Sequence, residues 1–161
     1  PEPEPARAAD DAEPVGPPLY RTLDSAHEWD EGRRDEVGVV TDGDTSTAWT
    51  STGSEGLLVT LEDPTQLAHV ILTPGPDADA TVTSTVKLFA FTTDAPRSLS
   101  SGIEIGEIIF ASRSITHTIE QPGNLPANVE SVAIWVEEVT STNTSQDDPT
   151  MQIAEVEMVG W

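Results

Sequence analysis

Asp42-Gly43-Asp44-Thr45-Ser46-Thr47-Ala48-Trp49-Thr50-Ser51 sets three hard oxygen donors, Asp42, Asp44 and Thr47, two and three residues apart around a glycine. A large aromatic, Trp49, follows at once. Hard oxygens gathered on a turn suit a cation such as calcium, which takes six to eight of them. Three loop oxygens alone make a poor cage, and a distant carboxylate would complete it. The other reading is an ordinary Asp-Gly turn in which Asp44 caps nearby amides. An EF-hand is excluded, because its sixth-position glycine and twelfth-position glutamate are both missing. Near the far end stands a second segment, Ile153-Ala154-Glu155-Val156-Glu157-Met158-Val159-Gly160. Alternation over 151–159 predicts a strand with Met151, Ile153 and the next odd positions on one face, and Gln152, Ala154 and Val156 on the other.

Between these segments the chain reads as short β-runs split by turn residues. Strands are expected at 19–26, 56–61, 67–73, 81–92, 103–111, 114–119 and 132–139, besides the closing one. Asp63-Pro64 and Pro74-Gly75-Pro76 punctuate the early runs. Sustained helical periodicity is absent, and one short turn near 35–40 is the main helical candidate. Even strand spacing with Pro, Gly and Asn between runs predicts an all-β, antiparallel sandwich of about eight strands.

Residues 1–18 hold six prolines and alternate Pro with Glu at the start. They are expected to form an extended acidic linker or stalk, with the folded domain over 19–161. The chain begins at Pro1 without Met, as a piece of a longer protein would. Its 161 residues can bury a normal core, and the absence of cysteine excludes disulfides and thiolate metal sites. The 29 acidic residues face only 7 basic ones, for a formal net charge of -22. Such a field repels nucleic acid and anionic lipid surfaces. It also keeps an extracellular protein soluble.

The Asp42–Trp49 and Ile153–Gly160 segments, with the Leu57–Leu61 and Ala68–Leu72 strands between them, resemble the galactose-binding-like β-sandwich family. That family includes discoidin (coagulation factor 5/8 type C) domains and many carbohydrate-binding modules. The resemblance covers residues 19–160 and implies a jelly roll that binds rather than catalyses. It also implies one structural Ca²⁺ (or Na⁺). By position, its donors are Asp42, Asp44 and Thr47 from the first loop, the Glu155 carboxylate and Ala154 carbonyl from the last strand, and the Val39 carbonyl. More narrowly, Asp24–Glu36 and Val132–Glu137 resemble an actinobacterial variant. It forms the extracytoplasmic C-terminal domain of MurJ/MviN-type membrane proteins, which export the peptidoglycan precursor lipid II.

Trp49, directly after the turn, reads as a core anchor. Trp135 lies on an alternating strand and is open between core and outer face. Trp29, in His27-Glu28-Trp29-Asp30-Glu31, is the best candidate for an exposed aromatic. With His27 it forms the candidate ligand-binding pair at one end of the sandwich, beside carboxylates that would accept hydrogen bonds from a sugar. The alternative for Trp29 is a lid packed over that end. Trp161 is terminal and reads as a mark of where the excised piece ends. Gly-X-Ser-X-Gly, His-Glu-X-X-His and phosphate-loop signatures are all missing, and His27, His69 and His117 are isolated in sequence, with His69 read as structural.

The leading reading is a non-catalytic, monomeric, extracytoplasmic module, tethered to a membrane by a segment outside this chain. It would bind cell-wall glycan or a protein partner, with an uncharged glycan favoured over an anionic one by the acidic rim. The alternatives are a carbohydrate-binding accessory module of a secreted glycoside hydrolase, or a structural spacer.

Overall fold

The computed structural model describes residues 16–29, 40–41, 43, 46–76, 78–142 and 149–161. The proline-rich segment expected over 1–18 lies outside them except for Gly16–Pro18. So does the helical turn expected near 35–40, apart from Val40.

Ten strands make up the described fold: β1 (Leu19–Tyr20), β2 (Leu23–Trp29), β3 (Trp49–Ser51), β4 (Glu55–Thr65), β5 (Leu67–Pro74), β6 (Val82–Phe91), β7 (Ile103–Phe110), β8 (Ile115–Thr118), β9 (Val129–Ser141) and β10 (Met151–Gly160). The first strand expected over 19–26 is two strands, β1 and β2. Strand β3 is a three-residue element that sequence alone does not single out. Single 3-10 turns occur at Leu99–Ser101 and Pro122–Asn124.

All pairings are antiparallel, in two five-stranded sheets. The first runs β8-β5-β10, with β3 and β1 sharing the far side of β10. The second runs β2-β4-β9-β6-β7. The architecture is therefore the expected jelly-roll β-sandwich, with ten strands rather than about eight. Alternate apolar positions of each sheet meet between the layers. Leu57, Val59, Val86, Leu88, Ile134 and Val136 come from one sheet, and Val70, Leu72, Ile153 and Met158 from the other. Trp49 joins this core, as its position predicts.

Strand β10 departs from the even alternation expected of it. Its pairing with β5 slips between Ile153 and Glu155, so that Ala154 is an extra residue. A bulge reverses the phase of the strand. Met151 and Ile153 face the core before it, and Val156 and Met158 after it. Glu155 is thereby turned away from the core.

Polar bonds tie the layers at both edges. Trp49 Nε1 donates to Glu28 Oε2 at 3.1 Å, joining β3 to β2. At the other edge His117 Nε2 donates to the Ile105 carbonyl at 2.7 Å, joining β8 to β7. Gly106 makes that approach possible, because a Cβ there would collide with the His117 imidazole.

Candidate functional site

Polar and aromatic side chains from distant parts of the chain meet at two places: the junction of the first loop with the closing strand, and the outer face of the second sheet.

At the junction, the Gly43 N–H donates to both oxygens of Glu155, at 3.1 and 3.2 Å. The central residue of Asp-Gly-Asp thus sits on the closing glutamate, 112 residues away in the chain. The bulge at Ala154 is what aims Glu155 outward toward the loop. Thr47 is exposed and Ala154 is buried within its strand. Asp42, Asp44 and Val39 lie outside the described residues. Among the described residues, no three acidic or histidine side chains gather as a metal cluster.

The outer face follows from strand register. Leu57, Ile134 and Leu88 pair across β4, β9 and β6 and point into the core. The neighbouring row must then point away from it. That row is Trp29, Gly56, Trp135, Lys87 and Glu107, one residue from each strand of the second sheet. The next row carries His27, Leu58, Ala133 and Phe89. A second apolar cluster forms here, outside the sandwich: Trp29, Leu58, Phe91 and Ala133, with Phe89 and Leu99 packed against it. The connection from β6 to β7, residues 92–102, lies over this face. Leu99 packs down on the cluster, Pro96 is buried, and Ser131 Oγ donates to the Thr93 carbonyl at 2.6 Å.

Trp29 is therefore not the exposed aromatic expected of it. It is 7% exposed. It ends a strand rather than sitting in a polar loop, and its ring packs at 5.6 Å from that of Phe91, tilted by 52°. The expectation failed because its apolar partners are far away in sequence. The lid alternative describes it better, but the surface covered is the outer face of a sheet and not one end of the sandwich.

The half-buried indole is Trp135. It lies beside Gly56, where an added Cβ would stand 3.1 Å from Trp135 Cε3. The missing side chain at 56 leaves the Trp135 ring room between Trp29 and Lys87. Trp29 and Trp135 line one cleft together with Arg97, Ser98, Leu99 and Ser100 of the overlying connection. Its volume is about 350 Å³, at the small end of the roughly 300–1,000 Å³ typical of ligand sites. His27 opens on a separate cleft, with Leu58, Asp94 and Ala95. The two candidate ligand residues thus share a face but not a cleft. Beside Trp135, Lys87 pairs with Glu137 at 3.2 Å. The Glu137 hydrogen bond, then its charge, raises the Lys87 pKa above its ordinary value.

Among the described residues, the one charged side chain lining the Trp29–Trp135 cleft is Arg97; the carboxylates expected beside the aromatic plate, at 30–36, lie outside those residues. Sequence reading passed over Arg97 and left Trp135 undecided. The available signal was parity: Trp135 sits between Ile134 and Val136, which both have to enter the core.

His69 Nδ1 and Thr118 Oγ1 are 3.1 Å apart across β5 and β8, which agrees with a structural reading. Trp161 is part of the fold. Its N–H and carbonyl pair with Gln66 at 3.0 and 2.9 Å, and its Nε1 donates to the Gly16 carbonyl at 2.8 Å.

No protein-family model and no curated protein matches the chain by sequence. Solved structures match it by shape. The family 32 carbohydrate-binding module of Clostridium perfringens NanJ, in complex with galactose, superposes with a TM-score of 0.62. The match covers 88% of this chain and 98% of that one, at 15% identity. The fold is that of a galactose-binding-like, discoidin-like β-sandwich. An F5/8 type C domain from Bacteroides fragilis gives a TM-score of 0.54 at 15% identity, covering 76% of this chain and 78% of that one. A family 89 glycoside hydrolase from Clostridium perfringens gives 0.59 at 19% identity, with 88% of this chain matching 14% of that much longer one. At these identities the likeness is one of fold. Among the described residues, no helix is long and apolar enough to cross a membrane.

Proposed function

We propose that this chain is a non-catalytic, extracytoplasmic carbohydrate-binding module whose binding surface is the outer face of the second sheet. The observation that carries this reading is the cleft between Trp29 and Trp135. One indole is held rigid by packing and the other is open to stacking, with serine hydroxyls at the rim. A sugar ring presents an apolar C–H face to such a plate and hydroxyls to its border. The sandwich supplies rigidity and the 92–102 connection supplies the polar groups, the usual division of labour between scaffold and loop.

The accessory-module reading, in which catalysis lies in another domain, is favoured by the match to a small part of a glycoside hydrolase. The membrane-tethered reading, as the outer domain of a lipid II exporter, rests on residues 24–36, 132–137 and the proline-rich start alone. We further propose that the Asp42–Thr47 loop and Glu155 hold one structural cation. The Gly43–Glu155 bond brings the loop to the closing strand, as a shared ion requires. Such an ion would brace the loop against β10 and take no part in ligand contact.

The test is a glycan array probed with wild type and Trp135→Ala. Binding to at least one glycan that is lost in Trp135→Ala is the expected result. Glycan binding unchanged in Trp135→Ala would move the site elsewhere, and binding to no glycan would end the carbohydrate reading.

A further inference from the structure

The described lining of the Trp29–Trp135 cleft carries a charge opposite in sign to that of the whole chain. The chain has a formal net charge of -22, yet among the described residues the one charged side chain lining this cleft is a cation, Arg97. Arg97 makes no ion pair among the described residues. It is held in place by its neighbours in sequence: Pro96 is buried and Leu99 is packed on the outer cluster.

The charged group of the cleft is also one-sided in its hydrogen bonding. A guanidinium donates and never accepts. Ser98 and Ser100 share a bond between their hydroxyls at 3.1 Å. The Ser98 carbonyl is taken by the Ser101 N–H at 3.2 Å and the Ser101 Oγ at 2.7 Å. Among the described residues, no carboxylate or amide side chain lines the cleft. A ligand that satisfies Arg97 must bring an acceptor, and a carboxylate is the strongest partner for a guanidinium. Distant acidic residues do little against it, because screening at physiological ionic strength acts within about 8 Å.

We infer that the glycan taken by this cleft is acidic: a uronic acid or other carboxylate-bearing pyranose, its ring on Trp135 and its carboxylate on Arg97. This rests on the carbohydrate-binding reading above and specifies its substrate class. It also reverses the expectation, drawn from overall charge, that the ligand is uncharged.

Titration calorimetry with uronic-acid oligosaccharides (oligogalacturonate, oligomannuronate and oligoglucuronate), each beside its carboxyl-reduced neutral counterpart, tests the inference. At least one acidic member should bind about tenfold or more tighter than its reduced form, and added salt should weaken that binding. Arg97→Gln should remove the preference and leave the melting temperature unchanged, since the side chain is exposed and unpaired. Arg97→Lys should restore only part of it, because an ammonium cannot fork a carboxylate. Neutral sugars binding through Trp135 with no acidic preference would overturn the inference and leave the carbohydrate reading intact. An acidic preference that survives in Arg97→Gln would overturn the role of Arg97, and no binding in either series would overturn the inference and leave the carbohydrate reading to the glycan array.

Discussion

Trp49 and Glu28 are bonded from indole to carboxylate, and this one contact joins an edge strand of the first sheet to an edge strand of the second. Trp49 is otherwise buried in the core. Hydrogen bonds to charged groups contribute about 1.5–3 kcal/mol. Trp49→Phe, which keeps an aromatic ring and removes the donor, should cost about 2–3 kcal/mol in urea denaturation. Glu28→Gln, which keeps an acceptor, should cost less. The double variant should be little worse than Trp49→Phe alone. Fully additive losses would show that the bond is not what couples the edges.

The opposite edge makes a complementary prediction. Gly106→Ala drives a Cβ into the His117 ring and should destabilise by about 1–3 kcal/mol, as overpacking does. Adding His117→Ala should recover part of that loss. Unchanged stability in Gly106→Ala would mean that β7 and β8 can separate without penalty.

The two outer-face tryptophans should behave differently. Trp29→Ala removes a buried ring from the second apolar cluster and should cost about 3–5 kcal/mol. Trp135→Ala should cost only about 1–2 kcal/mol while losing glycan binding. Equal thermal shifts in the two variants would contradict the assignment of one as anchor and the other as plate.

If the first loop and Glu155 share a cation, added calcium should raise the melting temperature, as any ligand of the folded state does. Asp44→Ala and Glu155→Ala should each abolish that rise. Glu155→Ala should also lower the melting temperature in chelator, since it removes the acceptor of the Gly43 N–H. A calcium response that persists in Glu155→Ala would place the ion elsewhere.

Asp79 gives a pH prediction. Its carboxylate accepts the Thr81 N–H at 2.9 Å and the Thr81 hydroxyl at 2.8 Å. The backbone bond first, then the hydroxyl, holds its pKa below the ordinary 3.8. A carboxyl depressed on folding adds stability that is fully present above its unfolded pKa. That stability is lost as pH falls through the folded value. The melting-temperature gap between wild type and Asp79→Ala should therefore be constant near neutrality and shrink below about pH 4. A gap that widens on acidification would show the opposite sign.

Much of the fold was legible because most strands announce themselves by turn residues and β-branched runs. Val82–Phe91 and Met151–Gly160 fell close to their expected bounds. What escaped reading depends on pairing. Trp49–Ser51 is too short to show a period and exists as a strand because β10 offers it a partner. The phase reversal at Ala154 was readable in the adjacent apolar pair Ile153-Ala154, but strict alternation hid it. The meeting of the first loop with Glu155 was legible as two matched segments, and the Gly43 bond agrees with it. The outer cluster was not, since Trp29, Phe91 and Ala133 are brought together only by the register of four strands.

The closeness of Gly16 to Trp161 has a mechanical meaning. Leu19 pairs with Gly160 and Tyr20 with Val159, so the ladder between β1 and β10 lies at the two ends of the described chain. Tension drawn across those two ends would pull along the hydrogen bonds, which lie perpendicular to antiparallel strands. They would open one after another, like a zipper, instead of resisting together in shear. The two-residue β1 would peel away first. The Trp49–Glu28 tie and the sheet with the aromatic cleft would lie outside the line of force, so the module could hold its ligand while its attachment stretched.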